Sequence, residues 1–363
     1  MLIEKAWAKV HGGYLNINAG LIREALHDLT GAPAITFFND ENTREERWNI
    51  IWDADQNNFI MCAGTEDLMG DGTDQQEKRT GIVGSHAYAM ISAVSLVRGS
   101  RGWEILRSND GGNGRTVERL LKLRNPWGKG ESKLAWCDGD SKWNEVSTEV
   151  KKEMKYANKD DGTFWLRFED FEKYYSDFQV CYYYDNYTLC SYPYETQKNE
   201  VLEFQFTITK PAEWYFSLNQ INKRFYPKNK GYKYSNCSLI VLTKNKYGKW
   251  ELVGSCSKPD KEYWFKAMSQ PGTYYAIVHT PWESFANKIC FTTYGPEETQ
   301  VQKLRTGAIK PEWIAEAIGT DACSKSNDWK PYTQQGEKDC SYKFEHGSTG
   351  IGYFCFNNQG SST

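Results

Sequence analysis

"DGTFWLRFEDFEKYYSDFQVCYYY", residues 161–184, reads as a strand, a short helix and a second strand in immediate succession. Working upstream, "RTVERLLKLRN" (115–125) and "GWEILRS" (102–108) read as two more strands, separated by the turn signal "NDGGNG" (109–114). "FIMCAGT" (59–65) is a further strand, and the polar, glycine-containing "EDLMGDGTDQQEKRTG" (66–81) is expected to be a surface loop. Helices precede these strands. The first runs from residue 2, with Leu2, Ile3, Ala6, Trp7 and Val10 on one face. The second covers Leu21 to Leu29 and ends at Gly31. The third carries Trp48, Ile51 and Trp52 behind a capping box of Thr43 and Glu46. Residues 1 to about 185 are therefore expected to be mixed α and β, ending in an antiparallel sheet.

Downstream the pattern changes. In "VLEFQFTITK" (201–210), Leu202, Phe204, Phe206 and Ile208 face one side, with Glu203, Gln205 and Thr207 on the other. Six more strand-like segments follow at turn-separated spacing up to "KICFTTYG" (288–295), the pattern of an all-β sandwich. A last piece, 301–363, holds one short helix, "PEWIAEAIG" (311–319), with Pro at its first turn and Gly after its end, then two or three short strands. The fold class expected is α+β followed by an all-β sandwich, with domains at 1–188, 189–300 and 301–363.

Composition narrows the function. The net charge of −3 implies no bulk attraction to nucleic acid or an acidic membrane surface. Aromatic residues make up 15% of the chain, fourteen of them Trp, which suits two cores filled by large rings. The ten cysteines include no C-x-x-C pair, so structural zinc is not expected. "MLIEKAWAKV" reads as an amphipathic helix rather than a signal peptide, and the apolar stretch around 87–97 is too short to span a bilayer. Reduced thiols and a cytoplasmic location are the expectation.

"GIVGSHAYAM" (81–90) places His86 at the mouth of a strand behind Gly81 and Gly84. "LLKLRNPWGKG" (120–130) places Asn125 at the end of another strand, before Pro126 and Trp127. An amide oxygen that accepts a ring N–H fixes the tautomer of a histidine and leaves its other nitrogen for a nucleophile. If that nucleophile is a cysteine, the pair becomes thiolate and imidazolium. His11, His27, His279 and His346 lie in settings that suggest exposed or structural roles.

With these residues the sequence resembles the calpain family of cysteine proteases. "LIEKAWAKVHGGY", "EALHDLTGAP", "GIVGSHAYA", "LLKLRNPWG" and "DGTFWLRFEDFEKYYSDFQVC" carry the resemblance in wording and order over nearly all of residues 1–185. "EWYFSLNQ", "KRFY" and "PGTYYAIV" carry a looser one to the β-sandwich that follows the protease core. The resemblance implies the later half of a papain-like core, acting on protein substrates, with His86 as general base, Asn125 as its orienter and Trp127 as a shielding indole. It also implies a calcium ion held by Glu131, Asp138 and Asp161 with the backbone oxygen of Lys159, though Thr163 stands where the family usually has another Glu. The family's Gln-x-x-x-Gly-Asp-Cys-Trp segment does not occur in this sequence, and Cys62 in its apolar strand reads as a buried core thiol. The chain is thus expected to be part of a longer protease, or else a binding or regulatory protein without peptidase activity. Removing half of a two-part core would expose the face with His86 and Trp127 and so call for a partner. The basic, aromatic run "KRFYPKNKGYKYSN" (223–236) offers membrane or partner-chain contact through the sandwich.

Overall fold

The structure is a computed structural model that describes residues 2–66, 74–100, 102–107, 115–226, 230–283, 287–325, 330–331, 340–346 and 352–358, with side chains up to residue 318. The chain divides into two compact units: Gly20–Tyr184, and Met1–Ala19 together with Asp185–Thr363. No helix among the described residues is long and apolar enough to cross a membrane.

Helix α1 (Leu2–Val10) belongs to the second of these units. Of its expected apolar face only Trp7 is turned inward: Leu2 is 84% exposed and Val10 63%. The face that docks is Trp7, Ala8 and His11. The Trp7 and His11 rings lie 4.5 Å apart, and His11 stacks on Phe225 at 5.5 Å. Ring stacking on the loop before the later strands decides the helix rotation, and His11 is buried as a structural residue.

The Gly20–Tyr184 unit contains, in chain order, α2 (Ile22–Thr30), β1 (Ala34–Phe38), α3 (Arg44–Gln56), β2 (Ile60–Thr65), α4 (Asp74–Thr80), β3 (Ala87–Gly99), β4 (Gly102–Leu106), β5 (Val117–Arg124), α5 (Thr148–Glu153), β6 (Thr163–Arg167), α6 (Phe168–Tyr174) and β7 (Tyr175–Cys181). Gly31 caps α2 in the left-handed conformation. Thr43 and Glu46 form both bonds of the capping box on α3. The sheet is antiparallel, in the order β1-β7-β2-β3-β5-β6, with β4 also on β3. Helix α6 faces inward through Phe168, Phe171 and Tyr174, three residues apart, and Phe168 packs against the fully buried Trp48 at 5.2 Å.

Two expectations for this unit need correction. The "NDGGNG" turn itself lies outside the described residues, but it does not join paired strands: β4 and β5 both pair with β3, not with each other. The long β3 forms its own hairpin with β4, since Gly99 faces Gly102. The expected loop over 66–81 contains α4, and residues 67–73 lie outside the described residues. Asp74–Thr80 contains good helix formers, and its polar Gln76 and Thr80 are buried, which a loop reading based on polarity misses.

The second unit continues with β8 (Thr188–Glu195), β9 (Glu200–Ile208), β10 (Ala212–Gln220), β11 (Ser238–Lys244), β12 (Trp250–Ser257), β13 (Glu262–Ser269), β14 (Gly272–Thr280), β15 (Lys288–Gly295), β16 (Gln302–Lys303), α7 (Pro311–Lys325), β17 (Lys330–Pro331), β18 (Cys340–His346) and β19 (Gly352–Asn358). Two antiparallel sheets, β13-β10-β15-β8 and β12-β11-β14-β9-β16, share one apolar core, as in a sandwich. Leu202, Phe204, Phe206 and Ile208 enter it from β9, as their alternation predicts, and meet Trp214, Phe216 and Phe291. Helix α7 runs through Gly319 rather than ending there. The last three strands form a small sheet of their own.

The outer face of β9 is not left to water. The Glu203 carboxylate is buried and accepts the Gly307 and Ile309 N–H groups at 2.8 and 2.7 Å. This ties residues 304–309 across the strand. Trp313 of α7 then stacks on Trp250 at 4.4 Å, over a second apolar cluster of Ile240, Leu242, Ile277 and Ile309. Glu203→Ala removes the charged acceptor of two backbone donors, one of them the buried Ile309 N–H, and is expected to cost about 2–3 kcal/mol. Urea unfolding followed by tryptophan fluorescence measures the loss, with earlier exposure of Trp313 as its local sign.

Candidate active site

Three backbone segments of the Gly20–Tyr184 unit build the site: the end of β2, the turn before β3, and the loop after β5. Gly81 ends α4 with φ of +74°, and a Cβ there would lie 1.8 Å from the Glu131 carbonyl oxygen. The Lys133 N–H donates to the Thr80 carbonyl at 2.8 Å, so the turn carrying His86 and the loop after Asn125 are joined backbone to backbone. Gly162 holds the far side of that loop. Its carbonyl accepts the Asn125 N–H at 2.8 Å, and a Cβ on it would meet the Lys129 nitrogen at 2.9 Å.

His86 Nε2 and Asn125 Oδ1 are 3.0 Å apart. The same oxygen accepts the Trp127 N–H at 3.1 Å, and Asn125 Nδ2 donates to the Gly130 carbonyl at 3.4 Å. A backbone N–H needs an acceptor, so the amide oxygen, not its nitrogen, faces His86. His86 Nε2 therefore carries the proton, and Nδ1 of the neutral ring holds a lone pair. Asn125 is fully buried, which keeps water from competing for its oxygen. The Trp127 ring packs on the imidazole at 4.5 Å, and the Tyr88 ring meets it edge-on at 5.1 Å. Trp127 itself is 56% exposed.

The structure thus brings His86, Asn125 and Trp127 together. Cys62 lies elsewhere, mid-strand in β2 opposite Ala89. Burial, with the nearby Cys181 thiol adding to it, pushes its pKa up to about 11, so it is a protonated thiol at neutral pH. Sequence reasoning passed over Thr65, whose backbone and hydroxyl both bond to His86. No local motif marks it, because the contact depends on the antiparallel pairing of β2 with β3.

The acidic positions gather behind Asn125. Glu131 Oε1 accepts the Asp161 and Gly162 N–H groups at 2.9 and 3.1 Å, Asp138 Oδ2 accepts that of Lys159 at 2.9 Å, and Asp161 Oδ1 accepts that of Thr163 at 2.9 Å. Asp138 and Asp161 line a cavity of about 250 Å³ with Lys122, Thr163 and Trp165. Burial raises the Glu131 and Asp138 carboxyls above their ordinary range, and neighbouring carboxylates add to this, whereas bonds from Thr163 hold Asp161 down. Among the described residues, no three Asp, Glu, His or Cys side chains are grouped to hold a metal ion. Carboxylate oxygens are donors of the kind that calcium takes, and the buried Asp138 Oδ1 has no hydrogen-bond partner.

Gly81 and Gly128 separate contact from conformation. Both have positive φ, of +74° and +69°, but nothing lies within 4 Å of a Cβ on Gly128. Gly128→Ala is expected to cost about 1 kcal/mol, and Gly81→Ala at least twice that, since the turn must also move off Glu131. Thermal unfolding of the two variants side by side checks the difference.

A family model described as calpain family cysteine protease matches residues 1–182. A calpain of Schistosoma mansoni is 34% identical over 187 residues, covering 50% of this chain and 22% of its own. Calpain-14 of Homo sapiens is 33% identical over 183 residues and calpain clp-4 of Caenorhabditis elegans 32% over 184, each with 50% of this chain and 23% of its own covered. The chain thus spans about a quarter of the length of the curated relatives it matches. A match over half of the sequence, on the segment that joins His86 to Asn125 and Trp127, places this chain in the calpain family of cysteine proteases.

Proposed function

We propose that residues 20–184 supply the general base and its orienter to a papain-like cysteine endopeptidase. The observation that carries the reading is the Asn125 oxygen held between the His86 Nε2 and Trp127 N–H groups. In this proposal His86 Nδ1 takes the proton of a cysteine thiol supplied by a Gly-Asp-Cys-Trp-type segment outside this sequence. The thiolate attacks the peptide carbonyl carbon. The imidazolium then protonates the amine as the C–N bond breaks, and water, deprotonated by the same nitrogen, releases the acyl group. Asn125 holds the ring throughout, and its neutral amide suffices because thiolate and imidazolium balance each other. Trp127 covers one face of the imidazole.

The test is complementation. The chain is joined to the nucleophile-bearing half-core of a calpain relative and assayed on casein. His86→Ala is expected to lower activity by about 10³-fold or more. Asn125→Ala should lower it less, since the ring and Nδ1 remain. If the complemented chain is no more active than its His86→Ala variant, the peptidase reading falls. The alternative, a binding or regulatory member of the family, then takes its place.

Calcium enters as a second part of the proposal. Glu131, Asp138 and Asp161, with the Lys159 backbone oxygen, would hold the ion. It would supply positive charge between carboxylates that now repel one another behind Asn125. Trp165, which lines the same cavity, offers a readout. Terbium, a calcium substitute, should show indole-sensitised luminescence that calcium displaces and Asp138→Asn weakens about tenfold in affinity. Luminescence indifferent to Asp138→Asn would remove calcium from this site.

A further inference from the structure

Thr65 closes β2 where its pairing with β7 steps from Gly64 opposite Asp177 to Thr65 opposite Tyr175. It is buried, and polar groups of the turn before β3 converge on it. The His86 N–H donates to Thr65 Oγ1 at 3.0 Å. Thr65 Oγ1 lies 2.7 Å from the Val83 carbonyl and 3.1 Å from that of His86. The Thr65 N–H donates to the His86 carbonyl at 3.0 Å. A hydroxyl has one proton to give and lone pairs to receive with. The proton goes to the nearer Val83 oxygen, and a lone pair receives the His86 N–H.

These bonds hold an unfavourable backbone. Ser85, between the two anchored residues, has φ of +49°, a conformation that a residue other than glycine keeps only when its neighbours fix it. From the other side, the Tyr88 hydroxyl accepts the Val83 N–H at 2.9 Å. The N–H and C=O groups of both Val83 and His86 are therefore all bonded, three of the four through Thr65. Among the described residues, the imidazole has one hydrogen bond of its own, to Asn125, and packs on two rings. The direction of its Cα–Cβ bond decides whether Nε2 reaches that oxygen.

We infer that Thr65 is a positioning residue for His86: its hydroxyl fixes the backbone from which the imidazole reaches Asn125. The functional meaning of this rests on His86 being the base of a peptidase, but the test does not. The full chain has five histidines, few enough for each ring to be followed by long-range proton–nitrogen correlation after histidine-selective labelling. In the parent chain the neutral His86 ring carries its proton on Nε2. Thr65→Val keeps the shape and removes the hydroxyl. The ratio of Nε2–H to Nδ1–H tautomer at His86 should then fall about tenfold, the weight of one ordinary hydrogen bond. Thr65→Ser should restore it, and His27 and His279 should not move. Tyr88→Phe frees the Val83 N–H without touching Thr65 and should shift His86 the same way, so it carries the question if Thr65→Val fails to fold. A His86 ring unchanged in these variants, or one that Thr65→Ser does not restore, overturns the inference. A Thr65-dependent tautomer in a complemented chain that cleaves nothing would support it while removing the peptidase reading.

Discussion

Asn125 Oδ1 accepts two hydrogens, one from the next turn of its own loop and one from His86. The first fixes which way the amide points. The second then has only one possible direction, and the imidazole is left with its free lone pair on Nδ1. This depends on Asn125 being dry, because an exposed amide would trade both bonds for water. Dryness depends in turn on the Gly162 and Gly81 contacts, which let two loops close on each other at separations that a Cβ would prevent. The chemistry of one ring nitrogen thus traces back to two glycines about eighty residues apart in the sequence.

How much of this was legible beforehand varies with the range of the interactions. The helix starts and the β9 alternation rest on residues within four positions of each other, and Thr43, Glu46, Leu202 and Phe204 behave as their spacing predicts. The pairing of β4 and β5 with β3, rather than with each other, is set by the length of β3, which local turn signals do not encode. The rotation of α1 follows the stack of Trp7, His11 and Phe225, which leaves Leu2, Ile3, Ala6 and Val10 of its apolar stripe exposed. Gln76, in the expected surface loop, and Glu203, on the side of β9 opposite the apolar residues, are both buried. His86, Asn125 and Trp127 could be named because family wording marks them. Thr65 has no such mark.

The acidic loops show a charge arrangement that the fold relaxes only in part. Glu131 and Asp138 are partly desolvated and near other carboxylates, and their hydrogen bonds come from backbone N–H groups rather than from cationic side chains. Such bonds orient a carboxylate but add no net charge. Lys122 lines the same cavity, and its charge pulls the Asp138 carboxyl down against the larger effect of burial, while its ammonium donates to the Lys155 carbonyl at 2.6 Å. The loops are therefore shaped by their backbone bonds, and burial of the carboxylates is offset only in part.

Residues 1–19 group with 185–363, and Arg224 reaches back to donate to the Ala19 carbonyl at 2.8 Å. The segment from 20 to 184 accordingly leaves and returns to a single body, so it behaves as an insert with both ends anchored. Anchoring removes conformational entropy from its unfolded state, at a cost that grows only with the logarithm of the segment's length. The small aromatic stack that docks α1 then works as a clasp. While it holds, the unfolded insert is a closed loop; when it opens, that loop is no longer closed at its first end, and the folding equilibrium of the insert shifts without any change in its own contacts.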